Sequence, residues 1–191
     1  MDTPEPKKPG SKFLGMVVPL LLAIGLFVGL VKLFGYATRR TSNPVSQNMA
    51  VCLANGIQNF RSDYKRWPVD AGERHQSDAT ILVNLLGRDL RVNRRGRNFL
   101  DCLPMAKSPE RRGGILQTED HAELFDSWGN YFVITLDHDG DGWVENPEGP
   151  TNHWPANLNL KVAVVSPGPD GVLSGNNRDG KDATKDNFRS W

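Results

Sequence analysis

The 191-residue chain lacks an excess of either charge, lacks clustered histidine or cysteine, and lacks the common catalytic motifs. With 23 Lys+Arg against 22 Asp+Glu, the formal net charge is +1, so no global field marks it as a polyanion binder, and nucleic acid is not an expected partner. Its two cysteines, Cys52 and Cys102, are far apart in sequence and form no C-x-x-C. The four histidines, His75, His121, His138 and His153, are scattered. No H-E-x-x-H, G-x-S-x-G or Gly-rich phosphate loop occurs. His121 and Glu123 stand two apart, a spacing that shares a face only on a strand, which fits an exposed loop pair better than half of a metal site. Ser174 has no base near it in sequence. The chain is therefore read as a non-enzyme.

Hydrophobic residues make up 38% of the chain, enough for a packed core, but their distribution is uneven. Phe13 to Val31 is a run of nineteen residues without a charge, and about eighteen is where an apolar run begins to read as a membrane span. Lys7, Lys8 and Lys12 precede it, and Gly35-Tyr36-Ala37 has the small-x-small pattern of a signal-peptidase site, so a cleaved signal competes with an anchor. The anchor is preferred, because the run exceeds the roughly 7–15 residues of a signal core and Tyr-Ala-Thr-Arg-Arg is a poor cleavage context. Lys32, Arg39 and Arg40 on the far side balance the leading lysines, so charge does not set the orientation. The resulting division is a polar segment at 1–12, a transmembrane helix at 13–36 and a globular domain at 37–191.

Beyond Thr38 to Asn43, the residues Val45, Met49, Cys52, Leu53, Ile57, Phe60 and Tyr64 recur mostly at steps of three and four, one face of an amphipathic helix. Asn43 is its expected cap, Pro44 its first turn, and Trp67-Pro68 its end. A second helix is predicted from Asp78 to Leu86, capped by Ser77 and stopped by Gly87. Arg88, Arg91, Arg94, Arg95 and Arg97 crowd the following loop, either as a docking surface for acidic groups or as a solvated loop. Strands are predicted at Tyr131–Leu136 and Leu160–Val165. Helix first and strands later is an α+β order with a small antiparallel sheet, without the βαβ rhythm of a nucleotide-binding fold.

Between those strands, DHDGDGWVENPE places Asp137, Asp139 and Asp141 at alternate positions, Gly142 at the sixth and Glu148 at the twelfth. This is the calcium-loop pattern D-x-[DN]-x-[DN]-G-x5-E. Calcium takes six to eight hard oxygens, so three carboxylates, the Trp143 carbonyl and Glu148 are suitable chemistry, and Gly142 permits the sharp turn. Pro147 and the preceding strand argue against a helix-opening sensor, and a metal-free Asp/Gly surface turn is the alternative. Binding at about 10⁻⁴–10⁻³ M would make the ion structural. In the tail, Asp170, Asp179, Asp182 and Asp186 are balanced by Arg178, Lys181, Lys185 and Arg189. Phe188 and Trp191 are expected to pin the end of the chain to the domain.

Several of these segments, taken in order, resemble the major pseudopilin of type II secretion and its type IV pilin-like relatives. They are the apolar helix continuing into ANGIQNFRSDYKRWPVDAG, then FDSWGNYF, then SPGPDG and an Asp-rich closing loop. FDSWGNYF is similar to that family's Asp-Pro-Trp-Gly-Asn-Pro-Tyr signature, with Ser127 in place of the first proline. The resemblance implies a long N-terminal helix, transmembrane then amphipathic, packed on a small antiparallel sheet. It further implies a single-pass inner-membrane protein with its C-terminal domain extracytoplasmic, and a structural role in a secretion or pilus-type assembly. Partners would be other pilin-like or secretion-system subunits in a homo-oligomeric assembly, and the membrane through residues 13–36. It also implies calcium in the closing loop, held by Asp170 with one or more of Asp179, Asp182 and Asp186, beside the Asp137 loop. The sequence departs from the family at the processing site: Gly10 is followed by Ser-Lys-Phe-Leu-Gly, and Gly15 stands where the family has Glu. A tethered calcium-binding adaptor that never enters a filament is the alternative.

Cys52 falls on the apolar helix face. In an oxidising compartment a Cys52–Cys102 bridge would tie that helix to the globular part; otherwise Cys52 is a small core residue.

Overall fold

A computed structural model describes residues 11–70, 72, 74–106, 110–119, 121–151, 154–174 and 182–191; within these, the side chains at 11–20, 22–23, 33–43 and 183 lie outside the description. Among the described residues two helices, α1 (Ser11–Tyr64) and α2 (Ala79–Leu85), accompany eight short strands. These are β1 (Arg74–Gln76), β2 (Gly114–Gln117), β3 (Ala122–Phe125), β4 (Val133–Leu136), β5 (Val144–Glu145), β6 (Asn157–Leu158), β7 (Val162–Ser166) and β8 (Phe188–Arg189). Single 3-10 turns cover Gly168–Asp170 and Ala183–Asp186. The chain divides into two compact units, Met1–Thr41 and Ser42–Trp191.

In the first unit the backbone is helical from Ser11, and Leu21, Ile24, Leu26, Phe27, Val28, Leu30 and Val31 are exposed. Among the described residues no helix is long and apolar enough to cross a membrane. Within the segment 13–36, the side chains at 13–20, 22–23 and 33–36 lie outside the description. The transmembrane helix at 13–36 and the single-pass inner-membrane location are corrected on this finding.

The second unit builds its core on the rest of α1. Met49, Ala50, Leu53, Ala54, Ile57 and Phe60 are all buried, a stripe at helical spacing. They pack with Ile81, Leu82 and Leu85 of α2, with Phe99, Leu100 and Leu103, and with Phe132, Ile134, Leu136, Val162 and Val164 of the sheet. Each fully buried aliphatic or aromatic side chain here contributes about 1.5–3 kcal/mol. Val45, expected on the stripe, is exposed instead. Pro44 does not start a helix: it lies inside α1, whose backbone is helical on both sides of it.

The strands form three separate sheets, not one. The largest runs β1-β4-β7-β8, with β2-β3 and β5-β6 as two-stranded pairs, and every pairing is antiparallel. β4 and β7 align Val133 with Val165 and Leu136 with Val162, close to the predicted strands. Both are buried along their whole length. One face meets the helices, while on the other Ala163 packs with Val144, Leu158, Trp154 and Trp191. The pilin-like fold, a transmembrane-plus-amphipathic helix on one small antiparallel sheet, is thus overturned twice: by the lack of a membrane-capable helix among the described residues and by the division into three sheets.

α2 begins one residue later than expected. Asp78, not Ser77, is its N-cap, accepting from the Thr80 N–H at 3.0 Å. Ser77 is fully buried, and its hydroxyl donates to Leu124 O at 2.7 Å and accepts from the Phe132 N–H at 2.9 Å, joining β3 to the approach of β4. Gly87 ends the helix as expected, at φ +74, with Gly96 so close that a Cβ would stand 2.4 Å from its carbonyl carbon.

Candidate functional site

β4 ends at Leu136, so Asp137 opens the acidic loop with its backbone still held. Its N–H donates to Lys161 O at 3.0 Å, and its carbonyl accepts from Trp67 Nε1 at 2.8 Å. The loop then closes on itself. Asp137 Oδ1 accepts from the Gly140 N–H, Asp139 Oδ1 from the Asp141 N–H and Asp141 Oδ1 from the Trp143 N–H, at 2.7, 3.2 and 2.7 Å. Gly140 and Gly142 sit at φ +82 and +87, a conformation that glycine adopts without strain.

These turns bring one carboxylate oxygen from each of Asp137, Asp139 and Asp141 within 4.8 Å of one another. Oxygens bound to a single calcium ion at about 2.4 Å are at most about 4.8 Å apart, so the spacing suits a shared ion. Asp137 is buried and the other two are exposed. A cation already leans on this end of the loop: Arg61, from the last turn of α1, lies 3.7 Å from Asp137 Oδ2 and 4.0 Å over the Trp67 ring centroid. A cavity of about 170 Å³ adjoins the loop, with Asp139, Asp141, Trp143, Glu145 and Asn157 in its wall. Glu145 and Asn157, directly opposite each other on β5 and β6, went unnoticed in the sequence. The available signal for Glu145 was its place as ninth residue of the loop, which often binds calcium through water.

Glu148, the twelfth residue, is drawn away. Its side chain is wholly buried; Oε2 pairs with Arg189 Nε at 2.7 Å, and Oε1 accepts from Asn187 Nδ2 at 2.6 Å. A carboxylate with both oxygens engaged by donors has its negative charge already compensated.

The second acidic group lies where the two 3-10 turns face each other. Asp182 caps one of them, its Oδ1 accepting from the Thr184 N–H and hydroxyl at 3.0 and 2.7 Å. Burial, followed by repulsion from Asp170 and Asp182, pushes the Asp186 carboxyl above the ordinary range. Asp170 Oδ1 accepts from the Val172 N–H, while its Oδ2 is buried without a hydrogen-bond partner among the described residues, an acceptor that a cation would satisfy. Asp179 lies outside the described residues.

The FDSWGNYF and SPGPDG segments lock together beside this group. Asp126 is fully buried; Oδ1 accepts from the Trp128 and Asn130 N–H groups, and Oδ2 from Asn130 Nδ2 and the Ser166 hydroxyl. Asn130 Nδ2 also donates to Gly168 O at 2.7 Å. Ser127 ties the turn to α1, its N–H donating to Ser46 Oγ at 3.1 Å. Phe188 stacks on Trp128 at 5.2 Å and Trp191 meets Trp154 edge-on at 6.1 Å, so both aromatics hold the last strand to the domain as expected.

Most of the arginine loop is engaged internally. Arg88 donates to Thr118 O and Glu119 O, Arg91 pairs with Asp89, and Arg97 pairs with Asp63. Arg94 and Arg95 are exposed.

No family model matches the sequence, and neither a curated protein nor a solved structure shows significant similarity to it.

Proposed function

We propose that the chain is a calcium-stabilised structural subunit and not an enzyme, with Asp137, Asp139 and Asp141 as the carboxylate ligands and the Trp143 carbonyl, Glu145 and Asn157 as further oxygen donors. The observation that supports this is the convergence of three carboxylate oxygens within 4.8 Å at the fixed end of β4. With Glu148 committed to Arg189, affinity falls in the range of an extracellular module, about 10⁻⁴–10⁻³ M. Terbium luminescence tests it, because the Trp143 indole lies in the wall of the same cavity and can sensitise the ion. Emission that calcium displaces, and that Asp139→Asn with Asp141→Asn abolishes, is the expected result. Emission unchanged by that double substitution but lost with Asp170→Asn and Asp182→Asn would move the ion to the C-terminal group.

The exposed Leu21, Ile24, Leu26, Phe27, Val28, Leu30 and Val31 favour a subunit role specifically. So much apolar surface on one helix is an association surface, and a second copy of the same segment is its simplest cover. Light scattering on the full chain should give an oligomer that Leu26→Glu with Phe27→Glu dissociates; a monomer in both cases would reject this part.

A further inference from the structure

Cys52 and Cys102 lie fifty residues apart in sequence, yet Cys52 Sγ is 4.0 Å from the Cys102 carbonyl oxygen. The proximity has a structural cause one helical turn away. A Cβ on Gly56 would stand 2.6 Å from Phe99 O and 2.7 Å from Leu100 Cδ2, so only a residue without a side chain lets α1 approach the 99–102 segment this closely. That segment is held from its other side by the Phe99 N–H to Leu85 O bond, and Asn98 Oδ1 accepts from the Leu100 N–H. Cys102 is exposed and Cys52 half-buried, so a small reagent in solvent can reach the pair.

We propose that Cys52 and Cys102 are a disulfide-forming pair that fastens α1 to the 99–102 segment when a disulfide oxidant is supplied. The exposed Cys102 reacts first: its thiolate attacks one sulfur of a small-molecule disulfide, forming a mixed disulfide and releasing one thiolate. Cys52 then gives up its proton and attacks the Cys102 sulfur, releasing the second. Two protein thiols are oxidised and one external disulfide is reduced to two thiols. The order follows from the surroundings, since burial and the neighbouring Cys102 push the Cys52 thiol up to about 11 and make it the poorer first nucleophile.

The test is incubation of the full chain with oxidised glutathione, followed by intact mass and peptide mapping under non-reducing conditions. A mass loss of about 2 Da with a single Cys52–Cys102 cross-linked peptide is expected, together with a melting temperature higher than the reduced form's by on the order of 10 °C. Cys102→Ser should show neither change and should keep the reduced form's melting temperature. A chain carrying glutathione at Cys102 with no internal cross-link, or a cross-link between two chains instead of within one, would overturn the proposal.

Discussion

Glu148 and Arg189 form an ion pair at 2.7 Å, with the glutamate side chain wholly buried and the arginine 20% exposed. Pairing the twelfth residue of the acidic loop with the last strand converts an expected metal ligand into a cross-brace. Arg189→Ala leaves the carboxylate buried without its cation and should cost about 3–5 kcal/mol in chemical denaturation. Glu148→Gln should leave calcium-dependent terbium displacement in place, since Glu148 is not a ligand in this arrangement; loss of displacement in a folded Glu148→Gln protein would return it to the ligand set.

Asp139→Asn and Asp141→Asn remove exposed charges that repel each other when no ion is present. The double variant should melt no lower than the wild type in chelator and should lose the rise produced by millimolar calcium. A calcium-induced rise equal to that of the wild type would place the ion elsewhere.

For Asp186, the carboxyl is held above its ordinary value of 3.8 by burial and then by Asp170 and Asp182. A raised carboxylate pKa contributes stability that is fully present below the unfolded value and lost as pH rises through the folded one. Metal-free protein should therefore be destabilised at this site as pH climbs from about 4 towards neutrality, and Asp186→Asn should melt higher than the wild type at neutral pH, with the gap closing in acid. A gap independent of pH would mean the substitution acts through packing.

Tyr131 donates to Glu123 Oε1, and this bond, with burial and the Glu123 charge, pushes the phenol up to about 12 from 10.0. The associated stability is complete below pH 10 and disappears as pH rises through about 12. Ultraviolet titration of Glu123→Gln should show the Tyr131 transition moving back towards 10. An unmoved transition would assign the shift to burial alone.

Gly168 has φ +71, and a Cβ there would come 2.2 Å from Asp186 O. Gly168→Ala combines a left-handed conformation with a collision against backbone, and should cost about 2–4 kcal/mol by denaturant titration. Gly140→Ala, at φ +82 but with nothing within 4 Å, should cost less.

Local patterns were legible in the sequence and distant partners were not. The α1 stripe, the β4 and β7 strands and the clustering of Asp137, Asp139 and Asp141 all follow from periodicity or from spacing within a few residues. Glu148 fitted the loop pattern equally well, but its fate is decided by Arg189, 41 residues away. Ser77 reads as a helix cap until Leu124 and Phe132 claim its hydroxyl from neighbouring strands. Pro44 marks a helix start on local preference, yet the helix runs through it.

Asp126 has a consequence for how the domain opens. Its carboxylate serves Trp128, Asn130 and Ser166 at once, and Asn130 reaches on to Gly168. The 126–130 turn cannot lift away without uncapping the start of the 166–171 turn, so the two behave as one opening unit although they are forty residues apart. Amide hydrogens at Trp128, Asn130 and Gly168 should therefore exchange with solvent at a common free energy.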